Sequence, residues 1–162
     1  VFFPACANAA PAAKEKSDTT AFFRGGDETI LVVEDESVLR ELAHAILEGC
    51  GYQIIEAASG REALEVWRQY DGRIDLVLTD MVMPEGVSGV ELAKKLIALR
   101  PDVKIVFASG YTVDVVSTDF LARTNNARFI QKPYTHVVLT KTVRQALDGK
   151  SVQAPPDAAP VQ

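Results

Sequence analysis

Residues 30–36 read Ile30-Leu31-Val32-Val33-Glu34-Asp35-Glu36, four apolar residues followed directly by three acidic ones. A short, continuously apolar run is typical of a β-strand that is covered on both faces. Such strands belong to parallel sheets, in which the functional crevice lies at the carboxyl ends of the strands. The stretch therefore predicts a buried parallel strand with acidic side chains at that edge.

Segments of the same character recur along the chain and alternate with amphipathic segments. Ser59 and Ser88 each begin a capping-box pattern with a glutamate three residues later, and Thr135 is a third predicted N-cap. Five repeats of strand and helix predict an α/β fold, a doubly wound five-stranded parallel sheet with helices on both faces. The predicted strands lie at 30–33, 52–57, 74–79, 103–108 and 128–131, and the predicted helices at 38–47, 60–70, 89–99, 113–121 and 136–146.

Helical spacing also predicts the orientation of individual side chains. Val38 and Leu42 belong to the apolar set of the first helix, and Val138 is expected to face inward from the last one. His44 lies on the first helix, where we expect it to face solvent.

Composition and charge exclude several classes of function. The chain has 162 residues, of which 48% are hydrophobic and 24% charged, as in one ordinary globular domain with tails. A formal net charge of -5 argues against nucleic acid as a partner. Its cysteines, Cys6 and Cys50, fit neither a zinc site nor a disulfide framework. No apolar run approaches the roughly 18 residues of a membrane helix, so we expect a cytoplasmic protein without direct membrane contact.

The two ends of the sequence differ from its centre. Residues 6–26 are rich in Ala, Pro, Ser, Thr and Gly without a sustained period, which predicts a linker. Residues 150–162 contain three prolines and no apolar face, and we expect them to be disordered. The folded domain is therefore predicted at residues 27–149.

Polar side chains follow four of the five predicted strands. Glu34 and Asp35 come after the first strand, Asp80 after the third, Ser109 after the fourth and Lys132 after the fifth. Because the carboxyl ends of parallel strands meet at one edge, we expect these groups to share one site. Each residue alone would be an ordinary cap, turn or surface residue, and the interpretation depends on their joint placement.

Four short motifs follow one another along the chain: the acidic pair in Val33-Glu34-Asp35-Glu36, the loop Asp80-Met81-Val82-Met83-Pro84, the turn Ala108-Ser109-Gly110-Tyr111 and the loop Gln131-Lys132-Pro133. In this order they resemble the response-regulator receiver domain of two-component signalling over about residues 28–149. The resemblance implies the strand order 2-1-3-4-5 of the receiver and flavodoxin-like folds, and it implies that Asp80 is the phospho-acceptor.

The chemistry of such a site calls for a divalent cation. Clustered carboxylates repel one another, and Mg²⁺ suits them because it accepts one or two carboxylates, keeps several waters and bridges to phosphate oxygens. We expect Asp35 and Asp80 to bind Mg²⁺, with Glu34 acting through water. The resemblance adds the backbone carbonyl of Val82 as a further ligand.

The resemblance also implies how the phosphoryl group is held and read. Lys132 would neutralise one phosphoryl oxygen and the Ser109 hydroxyl would bind another. Phe129, three residues before the lysine, would fill the space that Ser109 leaves, although it is equally well explained as a core residue. Partners would then read the face formed by the fourth helix, fifth strand and fifth helix.

Two further positions are expected to set the lifetime of the phosphorylated form. In receivers, the side chains at Val82 and Tyr111 flank the phosphoryl group. Valine cannot position an attacking water and tyrosine is bulky enough to obstruct one. The sequence therefore predicts slow autodephosphorylation.

The start of the chain points to a parent protein. Residues 1–5, Val1-Phe2-Phe3-Pro4-Ala5, resemble the last strand of a histidine-kinase ATP-binding domain. We expect the C-terminal receiver of a hybrid sensor histidine kinase, itself no enzyme, with a phosphohistidine domain or a histidine phosphotransfer protein as partner. A weak homodimer is compatible with the sequence.

Three alternatives remain open at this point. The first is a stand-alone response regulator. The second is a receiver-like interaction module that is never phosphorylated. The third is a flavodoxin-like cofactor binder, which Glu34, Asp35 and Glu36 disfavour because they would repel a flavin phosphate.

Overall fold

Five parallel strands form one sheet in the computed structural model, which describes residues 25–70, 72–84, 86–110, 124 and 126–149. The helix predicted at 113–121, the tail at 150–162 and nearly all of the predicted linker lie outside these residues. The strands are β1 (Thr29–Val33), β2 (Gln53–Ala57), β3 (Leu76–Asp80), β4 (Lys104–Ser109) and β5 (Ala127–Gln131). The described helices are α1 (Ser37–Glu48), α2 (Gly60–Tyr70), α3 (Gly89–Leu99) and α4 (His136–Leu147), the last being the predicted fifth helix.

The strand order is β2-β1-β3-β4-β5 with every pair parallel, which confirms the predicted topology. The register aligns the polar ends of the central strands. Val33 pairs with Thr79, Asp80 with Ala108, and Ser109 with Gln131. The residues that follow β1 and those that end β3 and β4 therefore meet at one edge of the sheet.

Each face of the sheet has its own hydrophobic core. One face packs on α2 and α3, where Trp67, Leu92 and Leu96 meet Leu31 and Phe107. The other packs on α1 and α4 and contains, among others, Ile30, Val32, Ala43, Leu47, Val106, Leu139 and Val143. Because alternate strand residues serve opposite faces, this arrangement accounts for the continuous apolar runs.

Capping groups start the helices where the sequence predicts. Ser88 forms a complete capping box with Glu91, and Thr135 accepts from the amide of Val138 at 3.3 Å. Ser59 accepts from the amide of Glu62, but the Glu62 carboxylate accepts from Ala58 rather than from Ser59. The predicted box at Ser59 is therefore only half formed, because its return bond comes from the amide of Ala58, one residue earlier.

The structure corrects several details of the sequence analysis. Strand β3 starts two residues later than predicted and includes Asp80, and β4 includes Ser109, because the parallel ladders continue through both residues. The predicted apolar faces were too wide: Val38 is 67% exposed, Leu42 48% and Val138 46%. Smaller or later residues of the same helices fill the core instead. Among the described residues, none of the helices has the length and apolar character to cross a membrane.

Candidate functional site

The predicted polar groups lie along the carboxyl edge of the sheet. Glu34 directly follows β1, Asp80 and Ser109 are the last residues of β3 and β4, and Lys132 directly follows β5. Strands β1, β3, β4 and β5 are consecutive neighbours in the sheet, so their ends form one continuous rim.

The ammonium of Lys132 connects two carboxylates. Its Nζ lies 2.6 Å from Oε2 of Glu34 and 2.8 Å from Oδ2 of Asp80. The three side chains are only 7–14% exposed, so solvent screens these ion pairs weakly. Burial alone would lower the pKa of Lys132, but the hydrogen bonds to Asp80 and Glu34 outweigh it and the pKa is raised. The lysine is thus held as a cation between two acceptors.

Three carboxylates gather within the reach of one metal ion. Glu34, Asp35 and Asp80 each place a ligand atom within 4.8 Å of the others. Glu34 is buried, and that burial raises its pKa despite the contact with Lys132, whereas Asp35 is exposed. Hard oxygen donors with one open, solvent-facing side suit Mg²⁺, which retains part of its hydration shell. The donor set present therefore fits the predicted magnesium site.

The loop after Asp80 is held tightly against its carboxylate and carbonyl. The amide of Val82 donates to Oδ1 of Asp80 at 3.0 Å, which leaves Oδ2 for Lys132. The hydroxyl of Thr79 donates to the Asp80 carbonyl at 3.0 Å. A Cβ on Gly89 would overlap that same carbonyl oxygen, so only glycine allows α3 to start so close to β3.

The ends of β4 and β5 are joined through their backbones. The amide of Lys132 donates to the carbonyl of Ser109 at 2.7 Å, and the amide of Met81 donates to Ala108 at 3.0 Å. Ser109 is itself buried, at 5% exposure. The residue predicted to bind phosphate through its hydroxyl is therefore fixed beside both Asp80 and the lysine loop.

Two other predicted site residues are Phe129 and Tyr111. Phe129 is half-buried, lies opposite Phe107 in the ladder, and packs against the core shared with α2 and α3. The structure thus places Phe129 at the core, and its role as a switch residue stays a prediction. Tyr111 lies outside the described residues.

A polar network beside the acidic pair was not foreseen from the sequence. Nη1 of Arg40 donates to the backbone carbonyl of Glu34 at 2.7 Å, and its Nε lies 3.7 Å from Oε2 of Glu56. His44, predicted to face solvent, instead contacts Glu56 with its Nδ1 2.6 Å from Oε1. The only signal in the sequence was the positive charge of Arg40 in the first turn of α1. Nothing in the sequence of β2 indicated that Glu56 would be its partner.

The sequence of the chain is similar to those of known proteins of one family. A family model described as "Response regulator receiver domain" matches residues 30–144. The chain is 39% identical over 137 residues to the "Sensor kinase CckA" of Brucella abortus (strain 2308). The aligned region is 85% of this chain but only 14% of that protein. The chain therefore spans a small part of that relative.

The chain is also similar to a smaller protein and to a solved crystal structure. The "Response regulator receiver protein CpdR" of the same organism is 34% identical over 105 residues, covering 65% of this chain and 84% of that protein. The crystal structure of the receiver domain from hybrid histidine kinase CckA superposes with a TM-score of 0.62 at 34% identity. That match covers 74% of this chain and 98% of the other.

Proposed function

The chain belongs to the response regulator receiver domain family, and on that premise we propose that it accepts a phosphoryl group from a phosphohistidine onto Asp80. The observation that carries the proposal is the position of this carboxylate. Asp80 ends the central strand β3, with the Lys132 ammonium 2.8 Å away and two further carboxylates beside it. Phosphoryl transfer requires mainly such positioning and charge neutralisation.

In the proposed reaction an Asp80 carboxylate oxygen attacks phosphorus in line. The new O–P bond forms as the N–P bond to the donor histidine breaks, which leaves an aspartyl phosphate and a neutral imidazole after protonation. Lys132 is already within reach of this carboxylate and would neutralise one phosphoryl oxygen. The Ser109 hydroxyl would donate to another.

Mg²⁺ is the proposed cofactor, held by Asp35 and Asp80, with Glu34 acting through water and the Val82 carbonyl as a further ligand. When bound, it would offset the negative charge that collects on the carboxylates and the incoming phosphoryl group. Support comes from the three carboxylates that gather at the rim. The chain's own part is to hold this donor set ready: Lys132 fixes Glu34, and the Val82 amide fixes Asp80.

A signal would then arise at the joined ends of β4 and β5. Movement of Ser109 toward the phosphoryl group would disturb the bond from the Lys132 amide to the Ser109 carbonyl. In this proposal Phe129 fills the vacated space from the neighbouring strand. The readable face would comprise β5, α4 and the predicted helix at 113–121.

The proposed lifetime of the phosphorylated state is long. Val82 is 65% exposed, and its side chain carries only methyl groups. It offers no hydrogen bond to an attacking water. Tyr111 is proposed to obstruct water through the bulk of its side chain.

For the parent protein we propose a hybrid sensor histidine kinase. Residues 1–5 would end its ATP-binding domain, residues 6–26 would be the linker, residues 27–149 the receiver and residues 150–162 a disordered tail. The phosphodonor would be a phosphohistidine domain in the same or another chain, with a histidine phosphotransfer protein as a further partner. The similarity to CckA supports this context, and the similarity to CpdR keeps the stand-alone regulator as the alternative.

Phosphate incorporation from acetyl phosphate tests the proposal. Intact mass spectrometry is expected to detect one added phosphoryl group that requires Mg²⁺ and is absent in Asp80→Asn. Asp102→Asn, a carboxylate with 86% side-chain exposure, is the matched control and should incorporate phosphate normally. No incorporation by the wild type with any phosphodonor would favour the unphosphorylated interaction module.

A further inference from the structure

The Glu34–Asp35 dipeptide is held by contacts on several sides. Its Glu34 amide donates to the Ala57 carbonyl at 3.2 Å, and the Glu34 carboxylate accepts from Lys132. The peptide carbonyl between the two acidic residues accepts from Arg40 at 2.7 Å. Because this carbonyl belongs to the peptide plane that leads into Asp35, its orientation helps to fix the Asp35 backbone, from which the exposed carboxylate projects.

The side chain of Arg40 is held in place by a second contact, with Glu56. Its side chain is only 17% exposed, and its Nε lies 3.7 Å from Glu56 on the neighbouring strand β2. Glu56 is in turn held by Nδ1 of His44 at 2.6 Å. One guanidinium thus contacts an acceptor in the loop and another in the sheet, which an ammonium with a single nitrogen reproduces only in part.

We propose that Arg40 is a positioning residue for the metal site: it orients the Glu34–Asp35 peptide so that the Asp35 carboxylate faces Asp80. The inference rests on the proposed Mg²⁺ site and adds a residue to it. Groups that orient metal ligands commonly change affinity by about tenfold or more when removed.

Orientation and bare charge predict opposite results for this residue. Arg40 brings a positive charge close to the carboxylates, so removal of the charge alone should strengthen Mg²⁺ binding. Loss of the hydrogen bond should weaken it, because Asp35 would sample other orientations and lose that freedom on binding the metal. The sign of the change therefore separates the two roles.

The experiment measures Mg²⁺ affinity by titration calorimetry for wild type, Arg40→Met and Arg40→Lys. Methionine keeps most of the side-chain volume but has no donor, while lysine keeps the charge and one donor group. Arg68→Met, at an exposed position on α2, is the control for charge removal. We expect about tenfold weaker binding for Arg40→Met, an intermediate loss for Arg40→Lys, and about the wild-type value for Arg68→Met.

A readout without metal completes the test. NMR ¹⁵N relaxation of the metal-free proteins should give a lower order parameter for the Asp35 amide in Arg40→Met than in wild type. Unchanged or tighter Mg²⁺ binding by Arg40→Met, with wild type still binding Mg²⁺ and accepting phosphate, would overturn this inference alone. A wild type that binds no Mg²⁺ would overturn the proposed metal site and this inference with it.

Discussion

The ammonium of Lys132 lies 2.8 Å from Oδ2 of Asp80, although 52 positions separate the two residues in the chain. The contact exists because β3 and β5 flank β4 and end at the same edge. The same nitrogen lies 2.6 Å from Oε2 of Glu34. A single cation therefore keeps two closely placed carboxylates compatible with the fold.

Removal of the Lys132 ammonium should destabilise the protein, and the size of the effect should depend on whether Mg²⁺ is present. Lys132→Met leaves Glu34 and Asp80 without their counter-ion, and we expect a loss of about 3 kcal/mol in the free energy of unfolding in metal-free buffer. Millimolar Mg²⁺ should restore part of this loss, because a ligand that binds only the folded state stabilises it. Urea unfolding with and without Mg²⁺ measures both effects.

The control for this variant is Lys141→Met, at an exposed position on α4. Its stability should stay close to that of wild type and respond to Mg²⁺ as wild type does. A Lys132→Met protein as stable as wild type without metal would show that the bridge between the carboxylates contributes little.

The close approach of α3 to β3 makes Gly89 sensitive to the smallest substitution. In Gly89→Ala the new methyl group would overlap the Asp80 carbonyl oxygen, so the loop must shift at a cost of about 2 kcal/mol or more. Gly110→Ala is the matched control, since its Cβ meets no atom of the described residues within 4 Å. Thermal unfolding of both variants tests the prediction, and equal melting temperatures would contradict it.

An ion pair between Glu28, the residue before β1, and Arg144 of α4 should give stability a defined pH dependence. Nη2 of Arg144 lies 2.8 Å from Oε1 of Glu28. Burial tends to raise the pKa of Glu28, but the hydrogen bond from Arg144 and smaller contributions outweigh it, and the pKa falls below its ordinary value of 4.5. A carboxyl with a lowered pKa stabilises the fold above the unfolded pKa and loses that contribution as pH falls through the folded one.

Glu28→Gln should therefore be less stable than wild type by about 1 kcal/mol near neutral pH. The difference should begin to shrink as the pH drops below 4.5, because Glu28 of the unfolded chain then takes up a proton, whereas Glu28 of the folded protein does so only at a lower pH. Urea unfolding across this pH range measures the difference. Glu65→Gln, at an exposed position on α2, is the control, and a Glu28→Gln difference that stays constant with pH would rule out the ion pair as its source.

The apolar side chain of Val82, two residues after Asp80, should make the phosphorylated form long-lived. We expect Val82→Asn to shorten its lifetime several-fold, because an amide can position the attacking water. Val137→Asn, at 51% exposure on α4, is the control and should leave the lifetime unchanged. Loss of phosphate over time, followed by intact mass in Mg²⁺ buffer, gives the rates. A wild-type lifetime of seconds would contradict the assigned role of Val82.

The alternation of strands and helices and the shared rim could be predicted because they depend on local patterns, whereas the strand order was implied by the resemblance to receiver domains. Apolar runs placed Asp80 and Lys132 at strand ends, and the parallel topology brought those ends together. The contacts of Arg40 and His44 could not, because they depend on Glu56, whose side chain projects from β2 without any motif. The exposure of Val38 and Leu42 was missed for a related reason: helical periodicity gives a face but not its width.

Chemical trapping of the phosphorylated residue tests the central claim most directly. Borohydride reduces an aspartyl phosphate to homoserine, and peptide mass spectrometry then identifies the position after treatment with acetyl phosphate and Mg²⁺. We expect homoserine at position 80, and at no other acidic residue, only when phosphodonor and metal are both present. Homoserine at another carboxylate, or none in a protein that has gained phosphate, would contradict the assignment of Asp80 as the acceptor.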